Sequence, residues 1–365
     1  MAVSAQGMGP GRPDPGMMPE QTRSDDGTVW VKTDIITILA NNEVPQFHFW
    51  YTTDTDGQLA KFMTSYIMIA EFEDSNGDGA FQSNESLYSA PLASYEWSLT
   101  TGTVEDDGVT TEVWLKYTKS GVRTIPIPDV PIPMPPFNDS SSVHRFEDVT
   151  IQIWAHIYLY DYYGEVTDDH GAQVNFTVAG RSELKMDIEI GNFPFSSETS
   201  MVTLETLQRE NVAPGDPNMM RHRIQTRERF RNVTFDSSMN WSTTGGNESR
   251  FERMNGTAIQ RLDFVDSETA MAQGFFSWLD KATITWPGGD TELVTVNASY
   301  VPTGMGVAVY LSYPNFDGGS ILHDPSIGLY PDAAPLPPLS LDSPLVLGIG
   351  AVVIGAILIV LVKKR

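Results

Sequence analysis

Apolar and polar residues alternate with a period of two along most of this chain, and the period is that of half-buried β-strands. Residues 184–190 show it most plainly. Leu184, Met186, Ile188 and Ile190 fall on one face, and Lys185, Asp187 and Glu189 on the other. Further strands are expected at 29–39, 46–51, 62–72, 95–99, 111–117, 150–162 and 173–178 in the first half. The second half continues with 202–207, 221–235, 282–286, 293–300 and 307–313. Turn residues punctuate the series, as in Thr53-Asp54-Thr55-Asp56-Gly57 and Trp286-Pro287-Gly288-Gly289-Asp290. No amphipathic helix of three turns is visible, and residues 275–279 read as a short helical turn. The fold class expected is all-β, in two tandem β-sandwiches covering 28–181 and 182–330, with a single large sandwich as the rival arrangement. A proline-rich stretch, IPIPDVPIPMPPF within 125–137, cannot be a central strand and is expected to cross an edge or join sheets.

The alternation stops near the C-terminus and a continuous apolar run replaces it. Residues 345–362 read LVLGIGAVVIGAILIVLV, and Lys363-Lys364-Arg365 follows. At ~1.5 Å per residue the run makes a helix of ~27 Å, close to the ~30 Å of a hydrocarbon core. It is read as one transmembrane helix with the basic residues 363–365 cytoplasmic and the rest extracellular. A proline-rich spacer, 331–344, separates it from the β region. At the other end, residues 1–27 read as a flexible tail, and Val3-Ser4-Ala5 before Gln6 resembles the end of a signal peptide.

Charge and composition narrow the function. The chain has 365 residues, no cysteine, and a net charge of −24 from 47 acidic and 23 basic residues. Such acidity excludes nucleic acid and anionic lipid as partners and suits divalent cations. Without disulfides, stability outside the cell rests on burial, hydrogen bonds, glycans or metal.

One motif carries specific chemistry. Residues 74–85 read DSNGDGAFQSNE and match D-x-[DN]-x-[DN]-G-x5-E at every specified position. The spacing turns alternate oxygens into one tight loop. Asp74, Asn76 and Asp78 supply side chains, Gly79 the positive φ, Ala80 its carbonyl, Gln82 a water-mediated contact, and Glu85 two closing oxygens. The metal-free reading of the same residues is a hairpin turn built on Asn76-Gly77 and Asp78-Gly79. The stretch resembles the calcium loop of EF-hand and dockerin-type proteins, over these twelve residues only. The resemblance implies bound Ca²⁺. The flanks depart from it, since 62–72 reads as a strand and Pro91 ends any helix after the loop.

Weaker signals remain open between two readings. On strand 150–162 the side chains of Trp154, His156, Tyr158, Tyr160 and Tyr162 share a face that can stack on sugars or a partner, or be covered by the protein itself. Arg221, Arg223, Arg227, Arg229 and Arg231 share strand phase and suit an anionic glycan or internal acidic partners. His323-Asp324 reads as part of a loop, because no nucleophile motif accompanies it. Glycosylation sequons stand at Asn138, Asn175, Asn232, Asn240, Asn247, Asn255 and Asn297, and at Asn84 within the loop. Strand phase puts Asn175 and Asn297 on solvent faces.

The layout of β ectodomain, sequons, low isoelectric point, proline spacer and one basic-ended helix resembles single-anchor archaeal surface proteins. It implies an anchored cell-surface protein contacting glycans or envelope proteins. The alternative is an anchored extracellular hydrolase acting on polysaccharide or peptide, although no carboxylate pair stands out in the sequence.

Overall fold

The computed structural model describes residues 19–23, 27–42, 44–52, 61–92, 97–122, 146–167, 173–211, 233–235, 241–243, 259–265, 272–303 and 306–330. In chain order the strands are β1 (Glu20–Arg23), β2 (Val29–Lys32), β3 (Ile36–Ala40), β4 (Gln46–Tyr51), β5 (Lys61–Glu73), β6 (Ser86–Pro91), β7 (Ser98–Asp106) and β8 (Val109–Ser120). Then come β9 (Thr150–Tyr158), β10 (Tyr162–Thr167), β11 (Gln173–Val178), β12 (Glu183–Gly191), β13 (Ser200–Asn211), β14 (Val233–Phe235), β15 (Trp241–Thr243) and β16 (Ile259–Val265). The last are β17 (Ala272–Leu279), β18 (Lys281–Thr285), β19 (Thr291–Thr295), β20 (Asn297–Thr303), β21 (Gly306–Tyr313), β22 (Ser320–His323) and β23 (Ser326–Leu329).

The protein is all-β and built on two antiparallel sheets. The nine-stranded sheet runs β1-β2-β3-β4-β5-β13-β21-β20, with β6 also on β5. The ten-stranded sheet runs β16-β17-β23-β12-β22-β18-β19, with β9, β8 and β7 extending from β12. Two small hairpins, β10–β11 and β14–β15, stand apart. Alternation explains the core. On β9, Ile151, Ile153, Ala155 and Ile157 are fully buried while the residues between them are half-buried. One contiguous apolar cluster takes residues from both sheets, among them Phe47, Phe49 and Val309 from one and Tyr117, Ile153 and Ile188 from the other. The sheets therefore pack face to face as a sandwich. Tyr117 joins them with its polar tip, its hydroxyl donating to the carbonyls of Asn41 at 2.6 Å and Gln46 at 3.0 Å.

The two-domain expectation is corrected here. Strands from before and after Gly180 share both sheets, β5 pairing with β13 and β9 with β12, and they share one core. The proposed boundary at 180–182 is instead a tight turn between β11 and β12. A side chain at Gly180 would stand 2.7 Å from the Tyr160 carbonyl oxygen, and Arg181 takes a positive φ of 66°. Pattern reveals which face of a strand is buried, but not which of many similar strands lies beside it.

Smaller departures have local causes. The stretch 29–39 breaks at Thr33, whose hydroxyl accepts from the Ile35 and Ile36 amides and folds β2 back onto β3. Residues 150–162 break after Tyr158, and Tyr160 lies in the bend before β10. Residues 293–300 break at Val296, which sends β19 and β20 to different sheets. The expected helical turn at 275–279 is β17. Residues 20–23, read as flexible tail, pair with β2 as an edge strand. The turn at 286–290 closes β18–β19 as expected, the Trp286 amide donating to the Asp290 carbonyl at 2.9 Å. Among the described residues no helix is long and apolar enough to cross a membrane, and 345–362, 331–344 and 125–137 lie outside them.

Candidate functional site

The 74–85 loop leaves the C-terminal end of β5 and enters β6 through one 3-10 turn, Ser83–Glu85. Strands flank it on both sides. Asp74 organises its first half. Asp74 Oδ1 accepts from the amides of Gly77 at 3.0 Å and Asp78 at 3.1 Å, and Oδ2 from Gly79 at 2.8 Å. Asn76 Oδ1 accepts from the Asp78 amide at 2.9 Å, and Asp78 Oδ1 from the Ala80 amide at 2.8 Å. Asp78 Oδ2 takes the amide side chains of Asn76 and Gln82 at 3.0 and 3.1 Å. Gly77 and Gly79 have φ of 77° and 71°, a region that costs a side chain about 1–2 kcal/mol.

Glu85 closes the loop and is 6% exposed. Its Oε1 accepts from the Ser75 amide at 3.2 Å and the Ser75 hydroxyl at 2.7 Å. Its Oε2 is buried without a hydrogen-bond partner. A buried carboxylate oxygen left in this state costs on the order of 1–3 kcal/mol, and more while charged. Asp74, Asn76, Asp78, the Ala80 carbonyl, Gln82 and Glu85 are all hard oxygen donors of the kind Ca²⁺ takes. They do not converge to ligand spacing, and among the described residues no group of three or more His, Asp or Glu does. Their oxygens instead serve the loop's own N–H groups and Ser75, and Glu85 Oε2 is left over.

Phe81 anchors the loop. It is 5% exposed in a satellite apolar cluster with Met68, Ala70 and Phe72, on the outer side of the nine-stranded sheet. Its ring lies 5.5 Å from Phe72 and 5.0 Å from Tyr310. The Phe81 amide donates to Ser312 Oγ at 3.1 Å, and its carbonyl accepts from Ser299 Oγ at 2.8 Å. Beside it, burial raises the Glu205 carboxyl to about 7 despite a hydrogen bond from Tyr310. The motif pattern is silent about Phe81, because x positions are unspecified. Its signal is a lone large apolar residue in a polar loop.

A side chain at Gly79 would collide with Asn297 Nδ2, whereas Gly77 has nothing within 4 Å. Gly77→Ala should therefore lose only the backbone strain, about 1 kcal/mol, and Gly79→Ala that strain plus whatever it takes to turn Asn297 aside. Adding Asn297→Ala should bring Gly79→Ala down to the Gly77→Ala value in urea unfolding. Equal losses for the two single variants would contradict the contact.

The second constellation lies on the outer face of the ten-stranded sheet. Trp154, His156 and Tyr158 of β9 stack in series, with centroids 5.7 and 6.2 Å apart and planes within 10° and 12°. Tyr162 continues the stack 4.4 Å from Tyr158, and Trp114 packs 5.2 Å from Trp154. Lys116 Nζ stands 4.2 Å over the Trp154 ring. The rings spend their faces on one another, which leaves little flat surface for a sugar.

Charges thread this ladder. Glu112 on β8 and Asp187 on β12 flank His156, at 2.6 Å from Nδ1 and 3.3 Å from Nε2. Lys185 bridges Asp187 and Asp324, the latter at 3.2 Å. Burial opposes the charge on His156, but the carboxylates of Asp187 and Glu112 outweigh it and raise the imidazole to about 9. His156 is thus a cation at neutral pH and unavailable as a general base. Burial also works against the Asp187 charge, and His156 and Lys185 hold it ionised well below the usual range. Burial raises Asp324 to about 6 against the pull of Lys185.

His323 and Asp324 point to different places. His323 is buried in the core, where Nε2–H donates to the Leu279 carbonyl at 2.7 Å and Nδ1 accepts from the Tyr313 hydroxyl at 3.0 Å. Burial lowers it to about 4. Sequence reading found Trp154, His156 and Tyr158 but missed Glu112, Lys185, Asp187 and Asp324 as their partners. Arg221, Arg223, Arg227, Arg229, Asn138, Asn232, Asn240, Asn247 and Asn255 lie outside the described residues. Asn175 lies on β11 opposite Glu165, Asn84 is exposed, and Asn297 is half-buried against Gly79.

The chain matches no protein-family model and no curated protein.

Proposed function

We propose that this chain is a membrane-anchored, glycosylated cell-surface protein whose β-sandwich ectodomain is stabilised by Ca²⁺ at the 74–85 loop. The observation that carries the reading is the partnerless buried oxygen of Glu85, at the closing position of a loop with full calcium spacing. Asp74, Asn76, Asp78, the Ala80 carbonyl and Glu85 would hold the ion, with Gln82 acting through water. When bound, the ion supplies positive charge to a loop rich in carboxylates. What the residues do is structural. They fix the turn, and the turn sets Phe81 on its patch. The apolar run 345–362 supplies the anchor, and the ectodomain contacts glycans or neighbouring envelope proteins rather than nucleic acid.

The full-length chain should stay with membranes through a carbonate wash, and a truncation before Leu345 should not. The melting temperature should rise by a few degrees from EGTA to millimolar Ca²⁺, less with Mg²⁺. A site filled tenfold above its Kd adds ~1.4 kcal/mol. Glu85→Gln separates the two readings of the loop. As a plain turn it tolerates the amide, which still accepts from Ser75, so stability in EGTA stays near wild type. As an ion site it loses the calcium response. A calcium response that survives Glu85→Gln would sink the assignment.

A further inference from the structure

Asn297 heads the sequon Asn297-Ala298-Ser299 on β20, the last strand of the nine-stranded sheet. Val296, Ala298 and Tyr300 are buried in the core, so Asn297, Ser299 and Val301 face outward, and Val301 is 50% exposed. By strand phase alone Asn297 is an open acceptor. The structure lays the 74–85 loop across it.

Gly79 crosses over the Asn297 side chain. A methyl built on Gly79 would collide with Nδ2 and stand 3.1 Å from Cγ and 3.7 Å from Cβ, so the side chain lies along the glycine from root to tip. Ser299 Oγ is taken by the Phe81 carbonyl at 2.8 Å. The loop therefore overlies the Asn297 amide and takes up the Ser299 hydroxyl, the two polar groups of the sequon. Phe81, in its apolar cluster and bonded to Ser312 Oγ, pins the loop there. Attachment forms a bond from Asn Nδ2 to the anomeric carbon of a lipid-phosphate-linked sugar. It breaks that carbon's bond to the phosphate oxygen, and the phosphate leaves as one amide proton is lost. The product carries a sugar ring on an amide that the Gly79 backbone overlies.

We infer that the docked loop and an N-linked glycan at Asn297 exclude one another. A chain whose loop docks first keeps a bare Asn297. A chain glycosylated first cannot seat Phe81. The loop is thereby the gate on modification of this sequon, and the glycan is a lock that holds the loop open. The inference rests on the docked loop and not on the ion, so it stands or falls separately from the calcium assignment.

The absence of native cysteine makes the test direct. Asn297→Cys and Val301→Cys each place one thiol on the outer face of the same strand. In the folded, detergent-solubilised full chain, maleimide should label Cys at 297 at least tenfold more slowly than at 301. Adding Phe81→Ala, or unfolding in urea, should bring the two rates within about twofold. In a second arm, an N-acetylglucosamine maleimide is attached at each position in urea and the protein is refolded. Sugar at 301 should leave the amides of Gly79, Ala80 and Phe81 as protected from hydrogen exchange as in wild type, and sugar at 297 should expose them. Equal labelling rates in the folded protein, or protected loop amides with sugar at 297, would overturn the inference.

Discussion

Replacing Lys185 with alanine is expected to remove about 3–5 kcal/mol of folding stability at pH 7. Its side chain is only 8% exposed, and Nζ sits between the carboxylates of Asp187 and Asp324. Without it, two largely buried acids face each other, and only Asp187 keeps a cation, His156, on its other side. Breaking a buried pair costs more than the pair is worth, because the surviving charge stays desolvated. Lys185→Met, which restores the apolar stem, should recover little. Urea unfolding at pH 7 measures the loss. It should shrink toward pH 4, since Asp324, already raised to about 6, then takes up a proton and ends the repulsion. A loss below 1 kcal/mol, or one independent of pH, would mean that the network is a surface decoration.

His323 and His156 should pull the pH dependence of stability in opposite directions. His323 has a folded pKa of about 4, below its ordinary 6.5. The unfolded chain protonates first, so this contribution is full above pH 6.5 and is lost as pH falls toward 4. By linkage it is worth roughly 3 kcal/mol at most. Asp187, held low, adds a loss of the same sign at more acid pH. His156 works the other way. Its folded pKa of about 9 makes its contribution full below pH 6.5 and lost as pH rises toward 9, again on the order of 2–3 kcal/mol. Glu205, raised to about 7, and Asp324, raised to about 6, lose stability as pH rises through the window in which His323 gains it, and together they outweigh it. Urea midpoints from pH 4 to 9 trace the profile. His156→Gln should flatten the fall between pH 7 and 9, and His323→Gln should steepen the fall between 4.5 and 6.5, because it removes the opposing contribution. An unchanged alkaline slope in His156→Gln would refute the assignment, whatever its absolute stability.

These residues also show what pattern alone conveys. Leu184, Met186, Ile188 and Ile190 announce their buried face, and Lys185 and Asp187 announce the other. That the other face is also nearly dry follows from Glu112, His156 and Asp324, which are far away in sequence and arrive through strand pairing. The same gap hid the fold. Period two makes β5, β9, β12 and β13 equally plausible neighbours, and the choice of partner belongs to the assembled core. Local breaks were missed where one residue decides them, as at Thr33 and Val296. The calcium spacing was legible because all its donors lie within twelve residues. The docking of that loop was not, because Phe81 finds its patch among Met68, Phe72 and Tyr310. Asn297 was rightly placed outward, yet no strand phase shows what folds over it.

Calorimetric titration of Ca²⁺ into the purified full-length chain probes the ion at the 74–85 loop itself. Wild type should take up one ion per loop with a Kd of ~10⁻⁴–10⁻³ M, Mg²⁺ should bind far more weakly, and Glu85→Gln should show no saturable uptake in that range. No binding by wild type at millimolar Ca²⁺, or equal binding by Glu85→Gln, would rule the ion out and leave residues 74–85 as a turn held by its own hydrogen bonds.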